Sequence, residues 1–201
     1  MTFTLIAINI VAFFLEQHDP NLFIGLFALW PPSPAVAAVA ADEPIFHVWQ
    51  LLSYSALHAN PTHLLFNMFG LYVFGREVEH TIGYVRVAAL YVASVVSGAL
   101  VQIAVSLAST HSYPTIGASA GVFGLLVSYA MLFPHRRVVL LFPPIPMPAW
   151  VFATGYALFE LFLGASGEEV DVAHFAHIGG MLGAIALMVY WSRSRRHSWL
   201  D

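Results

Sequence analysis

From Tyr84 to Leu107 the chain runs through apolar and small residues, with Arg86 as its only charge. A helix of that length rises roughly 35 Å, enough to cross the ~30 Å hydrocarbon core of a bilayer. Lipid offers the backbone no hydrogen-bond partners, so a lipid-embedded segment of this kind must satisfy its own amides as a helix. Shorter apolar runs recur along the whole chain. Of 201 residues, 59% are hydrophobic and 9% charged, where ordinary soluble domains carry about 25% charged residues. The sequence therefore reads as an all-α, polytopic membrane protein, with residues 1–201 as one transmembrane domain. Cysteine is absent, which excludes disulfides, thiolate metal sites and a cysteine nucleophile. The formal net charge of −4 argues against a nucleic-acid partner. No basic segment precedes the first apolar run, which is read as a retained helix and not a signal peptide.

Six helices are expected, at approximately 2–16, 62–76, 84–107, 117–133, 149–165 and 171–191. Pro134 stops the fourth, and Pro143, Pro144, Pro146 and Pro148 bound the start of the fifth. The first connection, Asn21 to His47, is long. It contains two apolar pieces, Leu22–Trp30 and Ala35–Ala40, split by Pro31-Pro32-Ser33-Pro34. Neither piece can span, so both are expected to lie at the interface or dip into it. All seven basic residues are arginines: Arg76, Arg86, Arg136, Arg137, Arg193, Arg195 and Arg196. Each falls in or at the edge of an even-numbered loop, or in the tail. The positive-inside rule then puts those loops and both termini in the cytoplasm of a multi-pass protein of the cell membrane. Asp19, Asp42, Glu43, Glu168, Glu169 and Asp171 fall outside.

Within the apolar runs, polar residues are functional candidates. The fourth helix begins with Gly117-Ala118-Ser119-Ala120-Gly121-Val122-Phe123-Gly124. Its Gly-x-Ser-x-Gly pattern describes a serine nucleophile at a helix N-terminus, where N–H groups and the helix dipole favour an oxyanion. The same small residues also describe a plain helix-packing seam. The sixth helix carries His177 about 9 Å below its outer end, at 1.5 Å per residue. Both helices start from the outer face, so Ser119 and His177 can meet. Gly179 and Gly183 form a G-x-x-x-G face, and Gly117, Gly121 and Gly124 offer small surfaces opposite. His177 is then either a general base for Ser119 or a histidine satisfied by a helical partner. His174, one turn nearer the water, reads as interfacial. On the second helix His63 and Asn67 are four apart and share a face; they are oxyanion donors or interhelical glue. Glu160, in the middle of the fifth helix, is a proton carrier or a neutral acid bonded to a neighbour. His58, His63, His174 and His177 lack the H-E-x-x-H spacing of a zinc site, so no metal or other cofactor is expected.

Three motifs occur together and in order: His58-(x4)-His63-(x3)-Asn67, Gly117-Ala118-Ser119-Ala120-Gly121-Val122-Phe123-Gly124, and Ala176-His177-Ile178-Gly179-Gly180. Together they closely resemble the rhomboid intramembrane serine proteases, over about Trp49 to the end of the sixth helix. The long membrane-dipping first loop within a six-helix core fits the compact prokaryotic type. The resemblance implies a serine endopeptidase that cleaves transmembrane segments of other membrane proteins within the bilayer. Ser119 would be its nucleophile and His177 its general base, a dyad without a carboxylate. His63, Asn67 and the Ser119 backbone N–H would bind the oxyanion, and Phe123 would pack on the histidine. The site would open to the outer side. Two positions depart from the family pattern: Ala184 where a glycine is usual, and Trp49-Gln50 where many members have Trp-Arg. The alternative is a catalytically inactive rhomboid-like protein that binds membrane helices.

Overall fold

The structure, a computed structural model, describes residues 1–32, 44–108, 113–139, 144–166 and 173–197. It is an α-helical bundle of a membrane protein. Helix α1 (Thr2–Glu16) leads into α2 (Pro20–Phe27). Proline at the first helical position and Asp19 as cap, accepting from the Leu22 N–H at 3.0 Å, start α2. It accounts for the Leu22–Trp30 piece of the first connection, whereas Ala35–Ala40 lies outside the described residues. A short α3 (Gln50–Ser53) and a 3₁₀ turn (Tyr54–Ala56) follow.

Gln50 ties this connection together. Its buried amide oxygen accepts from the N–H groups of His47 at 3.2 Å and Trp30 at 3.3 Å. The Trp49 indole donates to the Leu26 carbonyl at 2.9 Å. The departure from Trp-Arg thus leaves the loop anchored by a neutral amide, which can accept as well as donate where arginine can only donate.

Helix α4 (Pro61–Gly70) passes through a π turn (Leu71–Gly75) into α5 (Arg76–Ile82). Helix therefore continues past the expected end near 76. The charged residues 76–79 do not stop it; Gly83, with φ +87°, does, its N–H bonding the Glu79 carbonyl at 2.9 Å. The remaining helices are α6 (Tyr84–Ala108), α7 (Ser119–Leu132), α8 (Ala149–Ser166) and α9 (His174–His197). Helix α9 runs beyond the expected 191 through its arginine-bearing tail. Between α7 and α8, β1 (Arg137–Val139) and β2 (Pro146–Pro148) pair antiparallel. By length and composition α6, α8 and α9 can cross a membrane, and α1 and α7 are shorter apolar helices.

The centre of the molecule is α6, α7 and α9. Of the apolar stretch of α6, 44% is buried, against 17% for α8. Helix α8 is therefore a peripheral element, and Leu158, Phe159, Leu161 and Phe162 on it are exposed. An apolar cavity of about 330 Å³, lined by Val127, Trp150, Ala157 and Met181 among others, lies between it and α7 and α9.

The small residues of the core divide their work differently from the sequence expectation. Gly179 and Gly183 face α6, where a Cβ at 179 would stand 2.8 Å from the Ser97 carbonyl oxygen and one at 183 would stand 2.6 Å from Ser97 Cβ. Gly121 and Gly124 also face α6, against the Tyr91 ring and Ser94. Gly180 makes the close approach between α9 and α7, its Cβ position overlapping the Ala120 backbone. The G-x-x-x-G spacing marks a packing face without naming the helix it packs on. Ala184 is fully buried.

Candidate active site

The lead-in to Ser119 is held from three directions. Leu29 and Thr115 exchange two backbone hydrogen bonds of 3.0 Å, so the first connection pairs with the strand-like segment before α7. The Gly117 N–H donates to the Tyr54 carbonyl at 3.0 Å, and the Tyr54 hydroxyl donates to the Val95 carbonyl at 2.8 Å. Gly117 has φ +124°, a conformation open to glycine and strained for any other residue. A Cβ there would also stand 2.8 Å from the His63 ring. Ser119 then opens α7, where the first backbone N–H groups have no intrahelical acceptor.

Ser119 Oγ lies 2.7 Å from His177 Nε2. The Phe123 ring, one helical turn further along α7, stacks on the His177 imidazole with centroids 4.4 Å apart and planes 11° from parallel. On the other side of the same imidazole stands a carboxylate. Glu160 Oε2 is 2.7 Å from His177 Nδ1, and the same oxygen is 2.7 Å from His174 Nδ1. This departs from the expected dyad without a carboxylate. His174, expected at the interface, is 4% exposed, with its Nδ1 on the Glu160 carboxylate. An ionised carboxylate accepts and does not donate, so beside it the tautomer with the proton on Nδ1 satisfies both contacts, leaving the Nε2 lone pair towards the serine hydroxyl.

His63 and Asn67 lie across the cavity on α4. The Asn60 side chain caps that helix, accepting from the His63 N–H at 2.8 Å, and Pro61 sits in its first turn. The Asn67 amide donates one bond to the His63 carbonyl at 3.1 Å and is 5% exposed. His58, in the connection before α4, places its ring 5.1 Å from that of His63. His58 is 1% exposed; burial, then the neighbouring His63 ring, push its imidazole down to about 4.

These groups share one cavity of about 1200 Å³, whose walls include His63, Asn67, Ser119, Phe123, Glu160 and His177. It continues between α4 and α8 past Phe66, Phe69 and Phe152. Among the described residues, Glu160, His174 and His177 also bring three ligating atoms within 4.8 Å of one another.

From the sequence, Glu160 is a proton carrier or an acid bonded to an unnamed neighbour, and His174 is interfacial. One signal pointed to both: an acid in the middle of an apolar helix needs a nearby donor, and the two histidines lie one turn apart on another helix.

The Rhomboid domain family model matches residues 46–194. Rhomboid protein 1, mitochondrial, from Saccharomyces cerevisiae is 29% identical over 208 residues, covering 90% of this chain and 59% of the yeast protein. RHOMBOID-like protein 2 from Arabidopsis thaliana is 32% identical, covering 69% of this chain and 41% of the plant protein. Rhomboid protease GluP from Bacillus subtilis is 27% identical, covering 67% of this chain and 24% of its own length. The chain thus spans less than two thirds of the length of each of these relatives.

Proposed function

Because the chain belongs to the rhomboid family, we propose that it is a serine endopeptidase that hydrolyses peptide bonds in or near transmembrane helices of other membrane proteins. The observation that carries the reading is the 2.7 Å contact between Ser119 Oγ and His177 Nε2 at the wall of a cavity large enough for a peptide segment.

The chemistry follows from that contact. His177 Nε2 takes the hydroxyl proton as Ser119 Oγ bonds to the scissile carbonyl carbon, and the π electrons move onto the carbonyl oxygen. The resulting oxyanion meets the N–H of Ser119 at the positive end of α7, with His63 and Asn67 as side-chain donors. Collapse of the intermediate breaks the C–N bond, and the imidazolium delivers its proton to the leaving nitrogen. A water then repeats the sequence on the acyl-serine ester, freeing the acid and the serine. Phe123, flat against the imidazole, limits ring rotation through both halves of the cycle.

The substrate class follows from the surroundings. A transmembrane helix hides its carbonyls in its own hydrogen bonds, so it must unwind locally to reach Ser119. It approaches between α4 and α8, where the cavity is continuous and α8 is the less enclosed wall. The arginine distribution favours a site open to the outer side, with both termini cytoplasmic.

The test is labelling of the solubilised protein with a fluorophosphonate probe, comparing wild type with Ser119→Ala and His177→Ala. Labelling of wild type and of neither variant is expected. A folded wild type that stays unlabelled rejects the protease reading in favour of a helix-binding protein.

A further inference from the structure

We infer that Glu160 completes a Ser119–His177–Glu160 relay, with His174 as the residue that holds the carboxylate in place. This rests on the protease reading above and adds to it a positioning residue contributed by α8.

Three contacts of 2.7 Å form one connected chain: Ser119 Oγ to His177 Nε2, His177 Nδ1 to Glu160 Oε2, and Glu160 Oε2 to His174 Nδ1. Glu160, His174 and His177 are 5%, 4% and 7% exposed. A buried carboxylate needs donors, and here both come from imidazole N–H groups on α9. For His177 the consequence is a fixed tautomer, Nδ1 protonated and Nε2 free to accept the serine proton. The imidazolium formed during acylation keeps its Nδ1–H on the carboxylate, so its positive charge develops beside a negative one. Glu160 takes no proton in this cycle. It acts through His177 and touches no substrate atom, which is the part the aspartate has in a Ser-His-Asp triad.

A metal ion would ask for different spacing. Two ligands on a tetrahedral zinc, each about 2.0–2.1 Å from the metal, stand roughly 3.3 Å apart. The observed 2.7 Å on both sides is a hydrogen-bond distance. The second histidine also has an evident purpose. Helix α8 is the peripheral helix, and one oxygen shared by two rings on α9 fastens Glu160 to the core at two points.

The experiment compares wild type, Glu160→Gln and Glu160→Asp in detergent, cleaving a transmembrane peptide substrate, beside ¹⁵N spectra of histidine-labelled protein. Glu160→Gln is isosteric, and loss of the carboxylate is expected to lower kcat by about 10²–10⁴-fold with KM little changed. Glu160→Asp, which keeps the charge on a shorter arm, is expected to recover part of that loss. In wild type the His177 ring is expected to be protonated on Nδ1, and in Glu160→Gln that single tautomer is expected to be lost. A purely structural glutamate would move the melting midpoint and leave the tautomer as it was. The wild-type spectrum reads the His177–Glu160 contact whether or not the protein cleaves anything, so it separates this inference from the protease reading. A wild-type His177 protonated on Nε2 overturns the relay. So does a folded Glu160→Gln that keeps kcat within about two-fold, or wild-type activity that chelators abolish and Zn²⁺ restores.

Discussion

A serine hydroxyl does not attack an amide at neutral pH without a base beside it, and the resulting oxyanion needs donors already in place. Ser119, His177, His63 and Asn67 are four residues drawn from three helices, so each has its own measurable part. Asn67→Ala or His63→Ala is expected to lower kcat by about 10²–10³-fold while KM changes little, as read by steady-state cleavage of a transmembrane peptide. A fall in binding alone would mean that these side chains hold substrate and not the oxyanion. His58 makes a separate prediction, since it lies outside the spans with its ring pushed down to about 4. Unfolded, it titrates near 6.5. The unfolded state therefore binds the extra proton first, and stability is present above pH 6.5 and falls as pH drops towards 4. The melting midpoint should decline across that window by the equivalent of roughly 3 kcal/mol, and His58→Phe should flatten the decline. At this scale the sequence was explicit about Ser119 and His177, because a serine among glycines and a histidine inside an apolar helix both carry a cost that needs a reason. It offered Glu160 as a proton carrier or an acid bonded to some neighbour, but did not pair it with His177. The 14 and 17 residues that separate His174 and His177 from Glu160 cross a loop, and spacing constrains only residues on one helix.

Helices meet where side chains are small, and the glycines of α7 and α9 put that rule to the test. Gly180→Val would drive a branched side chain into the Ala120 backbone directly after Ser119. It is expected to cost several kcal/mol, the upper end for core overpacking, seen as a large drop in the melting midpoint. Gly155, on α8, has open space around its Cβ position. Gly155→Ala should raise stability by about 0.5–1 kcal/mol through backbone entropy. Access through the gap between α4, with its π turn, and α8 is also testable at this scale. The Phe74 and Phe152 rings stand 6.4 Å apart, and the chain has no cysteine of its own. Replacing both by cysteine and bridging them with a short bis-thiol reagent should block cleavage of whole transmembrane helices while leaving fluorophosphonate labelling of Ser119 intact. Unchanged cleavage would place the route elsewhere. Prolines and apolar runs made the helices legible, but their ends were read less well. Arg76 to Glu79 looks like a loop by charge, yet the chain stays helical until a left-handed Gly83 ends it. The partner of each glycine face was out of reach for the same reason as Glu160, because a small residue permits contact without selecting who makes it.

For the whole molecule, the fold class was legible because lipid leaves a chain so few solutions, and the family was legible because three motifs fall in one order over residues that the Rhomboid domain matches. On the proposed function, the protein must admit a helix and unwind it. Substrates with Gly or Pro near the outer membrane face should therefore be cut faster than a rigid poly-leucine span, and equal rates from purified enzyme would refute local unwinding as the selective step. Helix α8 has the least buried apolar stretch of the three long helices, and it carries the carboxylate that steadies the base. The apolar cavity of about 330 Å³ behind it lies between α7, α8 and α9. A hydrophobic molecule wedged there from the lipid side would lever α8 outward and draw Glu160 away from His177 without coming near the serine. Such a compound would be a noncompetitive inhibitor, one that excess substrate cannot displace, and it would leave the hydroxyl and its base in place but the imidazole without its carboxylate.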